Sequence, residues 1–353
     1  MDNLDAIILC TDANMIVPAM FVAHAARTHA GARSAAFDTV IVTDLAAAGP
    51  TERQFMAANG IRHEAISFDD LRSVFDKAGR LTAATLVKLT LAERFAGRYR
   101  RILYLDCDLT LHADVSVLFS LDLGGMPVAA NRRGMLCRTE AERKTIWGHF
   151  AELGMTEPYR YFNSGVMLID VDAWKAERLA ERCLDFIRRN PALCPLPDED
   201  SLNAVLDGRF ASLSPLWNMP ARRDIYMPLY AQIEAAIVHY SGHDKPWKRF
   251  GAHKPLFPDM EACRLYQSFI AASPWPHWLA AQWNRHDLVE ALRTAWDRRW
   301  SIWRGTSTEP TRQQAADYVA RFLDYVATAE FCDVAQGLVR RDGSSLSVAA
   351  KIR

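Results

Sequence analysis

The chain has 353 residues, 50% of them hydrophobic, enough for one large core with an appendage or for two domains. Its 42 basic and 42 acidic side chains cancel to a formal net charge of zero, which excludes a global pull toward nucleic acid. No apolar run reaches the ~20 residues that a membrane span needs, and the acidic start Met1-Asp2-Asn3-Leu4-Asp5 is unlike a secretory signal.

Asp5 to Asp12 has the apolar, β-branched run of a first strand and leads through Asn14 into a helical stretch from Met15 to Thr28. Phe37 to Asp44 is a second strand, Thr51 to Asn59 a helix closed by Gly60, and Ile61 to Phe68 a third strand. Strands alternating with helices point to βαβ units and a mostly parallel sheet. Leu81 to Phe95 is expected to form one amphipathic helix ending at Gly97.

The most informative stretch follows. Ile102 to Leu105 is a short buried strand that ends on Asp106-Cys107-Asp108. Residues i and i+2 of an extended chain share a side, so both carboxylates can face one cation, while Cys107 points the other way into the core. Two adjacent like charges repel unless a cation lies between them, and oxygen ligands suit magnesium or manganese. An Asp-x-Asp is common in solvated turns; its place at the end of an apolar strand, where open α/β sheets bind ligands, is what favours metal. The seven cysteines, at 10, 107, 137, 183, 194, 263 and 332, are odd in number and show no zinc spacing. They suit reduced thiols in a cytoplasmic protein.

Asp114 to Phe119 is expected to be a helical turn, Pro127 to Ala130 a strand, and Glu140 to Leu153 a helix within a looser segment. Tyr161 to Asp170 places a polar Asn163-Ser164-Gly165 triplet at the entry to another buried strand, with Asp172 as cap for one helix from Ala173 to Arg189. Asp198-Glu199-Asp200-Ser201-Leu202-Asn203 opens a further helix. Charge capping explains any one of its carboxylates, but less well all three together with Asn203. Phe210 to Leu213 and Ala236 to Tyr240 are strands; the second runs through His239 into Ser241-Gly242-His243-Asp244-Lys245-Pro246-Trp247, an exposed loop suited to phosphate. A lone histidine after such a run is more often structural than a ligand.

From Leu256 tryptophan and arginine crowd together: Trp275, Trp278, Trp283, Trp296, Trp300 and Trp303, with Arg285, Arg293, Arg298, Arg299 and Arg304. Helices are expected from Glu261 to Ala272, Trp275 to Trp303 and Thr311 to Ala335. Packing of the tryptophans on the main domain is the plainer explanation, and contact with a headgroup layer the sharper one. The domain plan is therefore 1–255, a helical extension at 256–340, and a flexible tail at 341–353.

Four blocks, in order, resemble family 8 glycosyltransferases, the group that holds bacterial lipopolysaccharide galactosyl- and glucosyltransferases and glycogenin. They are Thr11-Asp12-Ala13-Asn14; Leu103 to Asp108; Tyr161 to Ile169 with Asp198 to Asn203; and His239-Tyr240-Ser241-Gly242-His243-Asp244-Lys245-Pro246-Trp247. The resemblance covers about residues 5 to 250. It implies a GT-A fold, a Rossmann-like, mixed but mostly parallel sheet with flanking helices, to which the C-terminal helical extension is added. It implies manganese, with magnesium as the substitute, held by Asp106, Asp108 and His239. Thr11, Asp12, Asn14, Lys88, Cys107, Gly242 and Lys245 would join the two aspartates in holding a UDP-sugar, and Asn163, Asp198 and Glu199 would surround the transferred sugar as catalytic residues. The acceptor would be a glycan or glycolipid, the location cytoplasmic or peripheral on the inner face of the membrane. Met15 stands where relatives often carry an aromatic residue, Asn131-Arg132-Arg133 replaces an acidic pattern seen near the sugar in some relatives, and Glu199 stands where some relatives have Gln. A nucleotidyltransferase of similar fold would want a glycine-rich loop after the first strand, which Thr11-Asp12-Ala13-Asn14 lacks. A non-catalytic binding protein would want a lost metal ligand, yet Asp106, Asp108 and His239 are all present.

Overall fold

The computed structural model describes residues 4–74, 83–132, 140–221, 235–241, 245–247 and 260–282, with isolated positions between 289 and 346. Gly242, the tail after 346, and most of the helix expected at Thr311 to Ala335 lie outside the described residues.

Seven strands form the main sheet: β1 (Asp5–Thr11), β2 (Asp38–Asp44), β3 (Arg62–Ile66), β4 (Arg101–Leu105), β6 (Val128–Arg132), β7 (Phe162–Asp170) and β8 (Ala211–Leu213), in the order β3-β2-β1-β4-β7-β6-β8. The first four are parallel; β7 runs antiparallel to both β4 and β6, and β8 is parallel to β6. Because side chains alternate along a strand, the sheet fills a core on each face. Leu103, Leu105, Val166 and Leu168 pack toward α1 (Ile16–Ala30), whereas Ile102, Tyr104, Met167 and Ile169 face the opposite core.

A small second sheet is built from β5 (Leu109–Leu111), β9 (Met219–Pro220) and β10 (Ile237–His239), with β10 central. The chain leaves the large sheet at Leu105 and enters the small one at Leu109. Residues 106 to 108 are therefore the hinge between two sheets, and the hydrogen bonds of both hold them.

Two expected helices are broken. The segment after Leu81 comprises α4 (Ala84–Val87), a 3-10 turn at Lys88–Thr90 and α5 (Leu91–Arg94). It has no broad wet face: Ala84, Leu86, Val87, Lys88, Leu89, Leu91 and Ala92 are all buried. The stretch after β7 starts earlier than expected and divides into α7 (Val171–Ala176) and α8 (Leu179–Arg189). Its cap is Asp170, which accepts from Ala173 N–H at 3.0 Å, not Asp172. The break falls at Arg178, whose φ of 54° is left-handed without glycine; its guanidinium reaches forward to Glu181 in the first turn of α8 at 2.9 Å.

The remaining helices include α2 (Pro50–Ala58), α3 (Asp69–Val74), α6 (Glu140–Glu152), α9 (Pro197–Leu206), α10 (Met260–Ala271) and α11 (Trp278–Ala281). Tyr266 of α10 stacks on Phe21 of α1, with ring centroids 3.7 Å apart. Trp247, expected in an exposed loop, is buried in the same core beside Tyr266. Trp275 and Trp278 pack against that core too, but Trp296, Trp300 and Trp303 are exposed.

Candidate active site

The hinge carries the acid pair. Asp106 N–H donates to Gly165 O at 2.8 Å on the large-sheet side, and Tyr240 N–H donates to Asp108 O at 2.9 Å on the small-sheet side. The β5–β10 register sets His239 opposite Leu109, so its imidazole falls beside the acids despite the sequence separation. His239 Nε2 lies 3.1 Å from Asp108 Oδ1 and 3.6 Å from Asp106 Oδ2. One ligand atom from each of these three residues lies within 4.8 Å of the others. The Cys107 thiol faces away and donates to Cys10 O at 3.4 Å. Burial pushes that thiol well up, and the charges of Asp106 and Asp108 push it further, so it stays protonated.

Gly165 keeps this space open. A Cβ there would lie 2.3 Å from His239 Cε1 and 2.7 Å from Asp106 Oδ2. The triplet's glycine serves close approach, since it is not among the residues with left-handed φ.

Two lysines bracket the acids. Lys88, 2% exposed, places Nζ 3.1 Å from Asp106 Oδ1 and 2.7 Å from Asp198 Oδ2, over the Tyr104 ring. Burial alone would lower its pKa, but Asp106 and Asp198 hold the ammonium well above the usual lysine range. Lys245 donates to Asp108 Oδ2 and to Tyr240 O. For Asp108, burial opposes ionisation, but Lys245 and His239 outweigh it and hold the carboxyl well below the usual range. Among the described residues, Lys88 thus meets Asp106 and Asp198, Lys245 meets Asp108, and Glu199 is held by Asn163 and Ser164. Two carboxylates and an imidazole around a gap floored by glycine form a donor set that fits manganese or magnesium.

The acidic run of α9 divides its work. Asp200 is structural: its carboxylate accepts from Leu196 N–H at 2.7 Å and Tyr161 Oη at 2.8 Å, and lies 3.2 Å from His149 Nε2. Burial raises its pKa. Asn203 pins α9 to β7 by exchanging two 2.8 Å hydrogen bonds with the backbone of Phe162. Asp198 and Glu199 are thereby set against Asn163 and Ser164. Ser164 Oγ donates to Asp198 Oδ2 at 2.8 Å, and Asn163 Nδ2 donates to Glu199 Oε2 at 2.6 Å.

At the end of β1, beside β4, Thr11 is buried and Asn14 exposed; Asp12 Oδ1 accepts from Asn14 N–H at 2.9 Å in a tight turn. The structure therefore gathers Asp106, Asp108, His239, Lys88, Lys245, Asn163, Asp198 and Glu199, with Thr11, Asp12 and Asn14 on a neighbouring strand end. Asn218 escaped the sequence reading, since Trp217-Asn218 matches no chemical motif. It lies just before β9, 3% exposed, with Oδ1 2.8 Å from His239 Nδ1.

Comparison with known proteins agrees with this architecture. The profile of glycosyl transferase family 8 matches residues 6–251. General stress protein A of Bacillus subtilis (strain 168) is 31% identical over 169 residues, covering 44% of this chain and 55% of that protein. The lipopolysaccharide 1,3-galactosyltransferase of Salmonella typhimurium is 26% identical over 211 residues, covering 56% of each. The chain thus spans about half the length of the curated relatives it matches. Among solved structures, the galactosyltransferase LgtC in complex with donor and acceptor sugar analogues has the same fold, with a TM-score of 0.60 at 22% identity over 76% of this chain and 96% of that one. The GT-A fold is therefore shared, and with the profile covering most of its length the chain belongs to glycosyl transferase family 8.

Proposed function

We propose that the protein transfers a hexose, glucose or galactose, from a UDP-sugar to a hydroxyl of a lipopolysaccharide or other surface glycan, with retention at the anomeric carbon. The observation that carries this reading is the convergence of Asp106, Asp108 and His239 on a glycine-floored gap beside Asn163, Asp198 and Glu199. A manganese ion bound there supplies Lewis-acid neutralisation of the departing diphosphate. Lys245, with the backbone near Gly242, holds the diphosphate; Thr11, Asp12 and Asn14 meet the uracil and ribose; Asn163, Asp198 and Glu199 hold the sugar. Asn131 adds a buried amide: its Nδ2 has no hydrogen-bond partner among the described residues, and it pairs in register with Asn163. Such a group suits a ligand hydroxyl.

The tethering of Glu199 favours front-face attack over a covalent intermediate. Glu199 Oε2 accepts from both Asn163 Nδ2 at 2.6 Å and Ser164 N–H at 3.3 Å, which fixes the carboxylate as a charge stabiliser. As the anomeric C–O bond to the diphosphate breaks, the acceptor oxygen bonds to that carbon from the same face and passes its proton to the leaving phosphate oxygen. Manganese-supported release of UDP from UDP-glucose, UDP-galactose and their N-acetyl forms tests the donor; no turnover of any of them would sink the reading. Glu199→Gln should lower the rate by about 10²–10³-fold, the scale of one electrostatic contact. A loss near the ~10⁶-fold scale of removing a nucleophile would instead indicate a covalent route.

The lipid-linked acceptor rests on the C-terminal extension. Among the described residues no helix is long and apolar enough to cross a membrane. Val289, Leu292, Trp296, Trp300 and Trp303 are nevertheless exposed at helical spacing, with Arg293, Arg299 and Arg304 among them. Trp and Arg on one exposed stretch suit a peripheral seat on an anionic, cytoplasmic leaflet. The full chain should co-sediment with phosphatidylglycerol vesicles at low salt, and the triple change of Trp296, Trp300 and Trp303 to Ala should abolish this. Unchanged binding of that variant would count against it. Truncation at 256 is a poorer test, because it also removes Tyr266 and Ile270 from the core.

A further inference from the structure

We infer that Asn218 is a positioning residue that sets the tautomer of His239 and ties the metal-binding imidazole to Glu199 through one hydrogen-bond chain of fixed direction. The inference rests on the metal site proposed above.

The chain runs His239 Nδ1 to Asn218 Oδ1 at 2.8 Å, Asn218 Nδ2 to Asn163 Oδ1 at 2.7 Å, and Asn163 Nδ2 to Glu199 Oε2 at 2.6 Å. An amide can be turned end for end and an imidazole has two neutral tautomers, so such a chain has two possible directions. Backbone groups select one of them here. Gly165 N–H donates to Asn163 Oδ1 at 3.1 Å, and a backbone N–H can only donate, so that atom is the oxygen. Ser164 N–H likewise donates to Glu199 Oε2. Asn163 therefore presents its NH₂ to the carboxylate and its oxygen to Asn218. Asn218 must answer with its own NH₂, leaving its oxygen to face His239. An oxygen there accepts, so Nδ1 carries a hydrogen, and Nε2 is the ring nitrogen left to give a lone pair to a cation. Nε2 is the atom that faces Asp106 and Asp108.

The sheet supplies the reach. The 3-10 turn at Pro215–Trp217 delivers Asn218 to the head of β9, and β9 pairs with β10 so that Pro220 lies opposite His239. Metal-ligating histidines depend on such outer partners for ring orientation and basicity, and losing one typically costs 10–100-fold in metal affinity. The other end of this chain holds Asn163 and Glu199, so the metal ligand and the proposed sugar-facing carboxylate are oriented by the same two amides.

Two variants separate the two ends. Asn218→Ala removes the acceptor from His239 and should weaken Mn²⁺ binding by about 10–100-fold, read from the free-ion EPR signal on titration. Asn218→Asp keeps an acceptor for Nδ1–H, so Mn²⁺ affinity should stay within about threefold of the parent. Its second oxygen, however, meets Asn163 Oδ1 without a hydrogen, so kcat for sugar transfer should fall while the ion still binds. Long-range ¹H–¹⁵N spectra of the ¹⁵N-histidine-labelled protein without metal should show a hydrogen on His239 Nδ1, assigned by its loss in His239→Gln. A neutral His239 with its hydrogen on Nε2 and a bare Nδ1 overturns the inference, as does equal Mn²⁺ affinity in Asn218→Ala or a loss in Asn218→Asp as deep as in Asn218→Ala. If the parent chain binds no Mn²⁺ at all, the metal reading fails, and the tautomer spectrum still decides the role of Asn218.

Discussion

Asp108→Asn is expected to remove sugar transfer almost entirely, by more than about 10³-fold, while the protein stays folded. The substitution is nearly isosteric, and the amide that replaces the carboxylate keeps an oxygen toward His239. What is lost is one of the two carboxylates of the candidate metal set. One missing electrostatic contact to a developing charge costs about 10²–10³-fold, and a lost ligand also empties the site at ordinary ion concentrations. Mn²⁺ affinity should fall by more than the ~10–100-fold that outer partners cost. Asp106→Asn should behave alike. Gly165→Ala reaches the same end with every charge retained, because its Cβ would stand 2.3 Å from His239 Cε1 and 2.7 Å from Asp106 Oδ2. Ion titration by EPR and thermal melts on all three variants make the check. Near-parental Mn²⁺ affinity in both Asp108→Asn and Gly165→Ala would refute the site, whatever happened to activity.

How much of this was legible in the sequence depended on the range of the interaction. β1, β2, β4 and β7 were readable because a buried strand announces itself locally through runs such as Ile102 to Leu105. The acid pair was readable for the same reason, since strand alternation alone puts Asp106 and Asp108 on one side. His239 was not, because its partnership is set by the β5–β10 register; only the family resemblance placed it with the acids. Gly165 and Asn218 were invisible in their roles. A glycine demanded by close approach has no local signature, and Asn218 acts on a ring that another strand delivers. The unexpected break within the Leu81 to Phe95 segment has the same origin. Its residues have good helix propensity, but the 3-10 turn at Lys88–Thr90 coincides with the lysine that two distant carboxylates hold. Tertiary pairing overrides local preference there.

Lys88→Met carries the largest expected cost in stability. The parent side chain is 2% exposed, and its ammonium is shared by Asp106 and Asp198 while donating to Ser164 Oγ at 3.4 Å. Methionine fills most of the volume but leaves Asp198, itself 6% exposed, without its cation. Removing one partner from a buried ion pair costs roughly 3–5 kcal/mol, chiefly the penalty of the stranded charge. The deficit should depend on pH in a definite sense. With Lys88 gone, the stranded carboxyl has a folded pKa above its unfolded value near ~3.9, so the folded variant binds the extra proton. Stability of the variant then falls as pH rises through that window, and its deficit against the parent is largest at neutral pH and smaller toward pH ~4–5. The parent should lack this behaviour, since its ammonium is held well above the usual lysine range. The double variant Lys88→Met/Asp198→Asn should regain much of the lost stability, because the more deeply buried carboxylate is gone and Asp106, its side chain 27% exposed, keeps access to water, yet it should not regain sugar transfer. Urea unfolding at pH 5 and pH 7.5 makes the measurement. A deficit that is independent of pH and unrelieved in the double variant would show that Lys88 contributes packing alone, and the charge balance drawn around the acid pair would have to be redrawn.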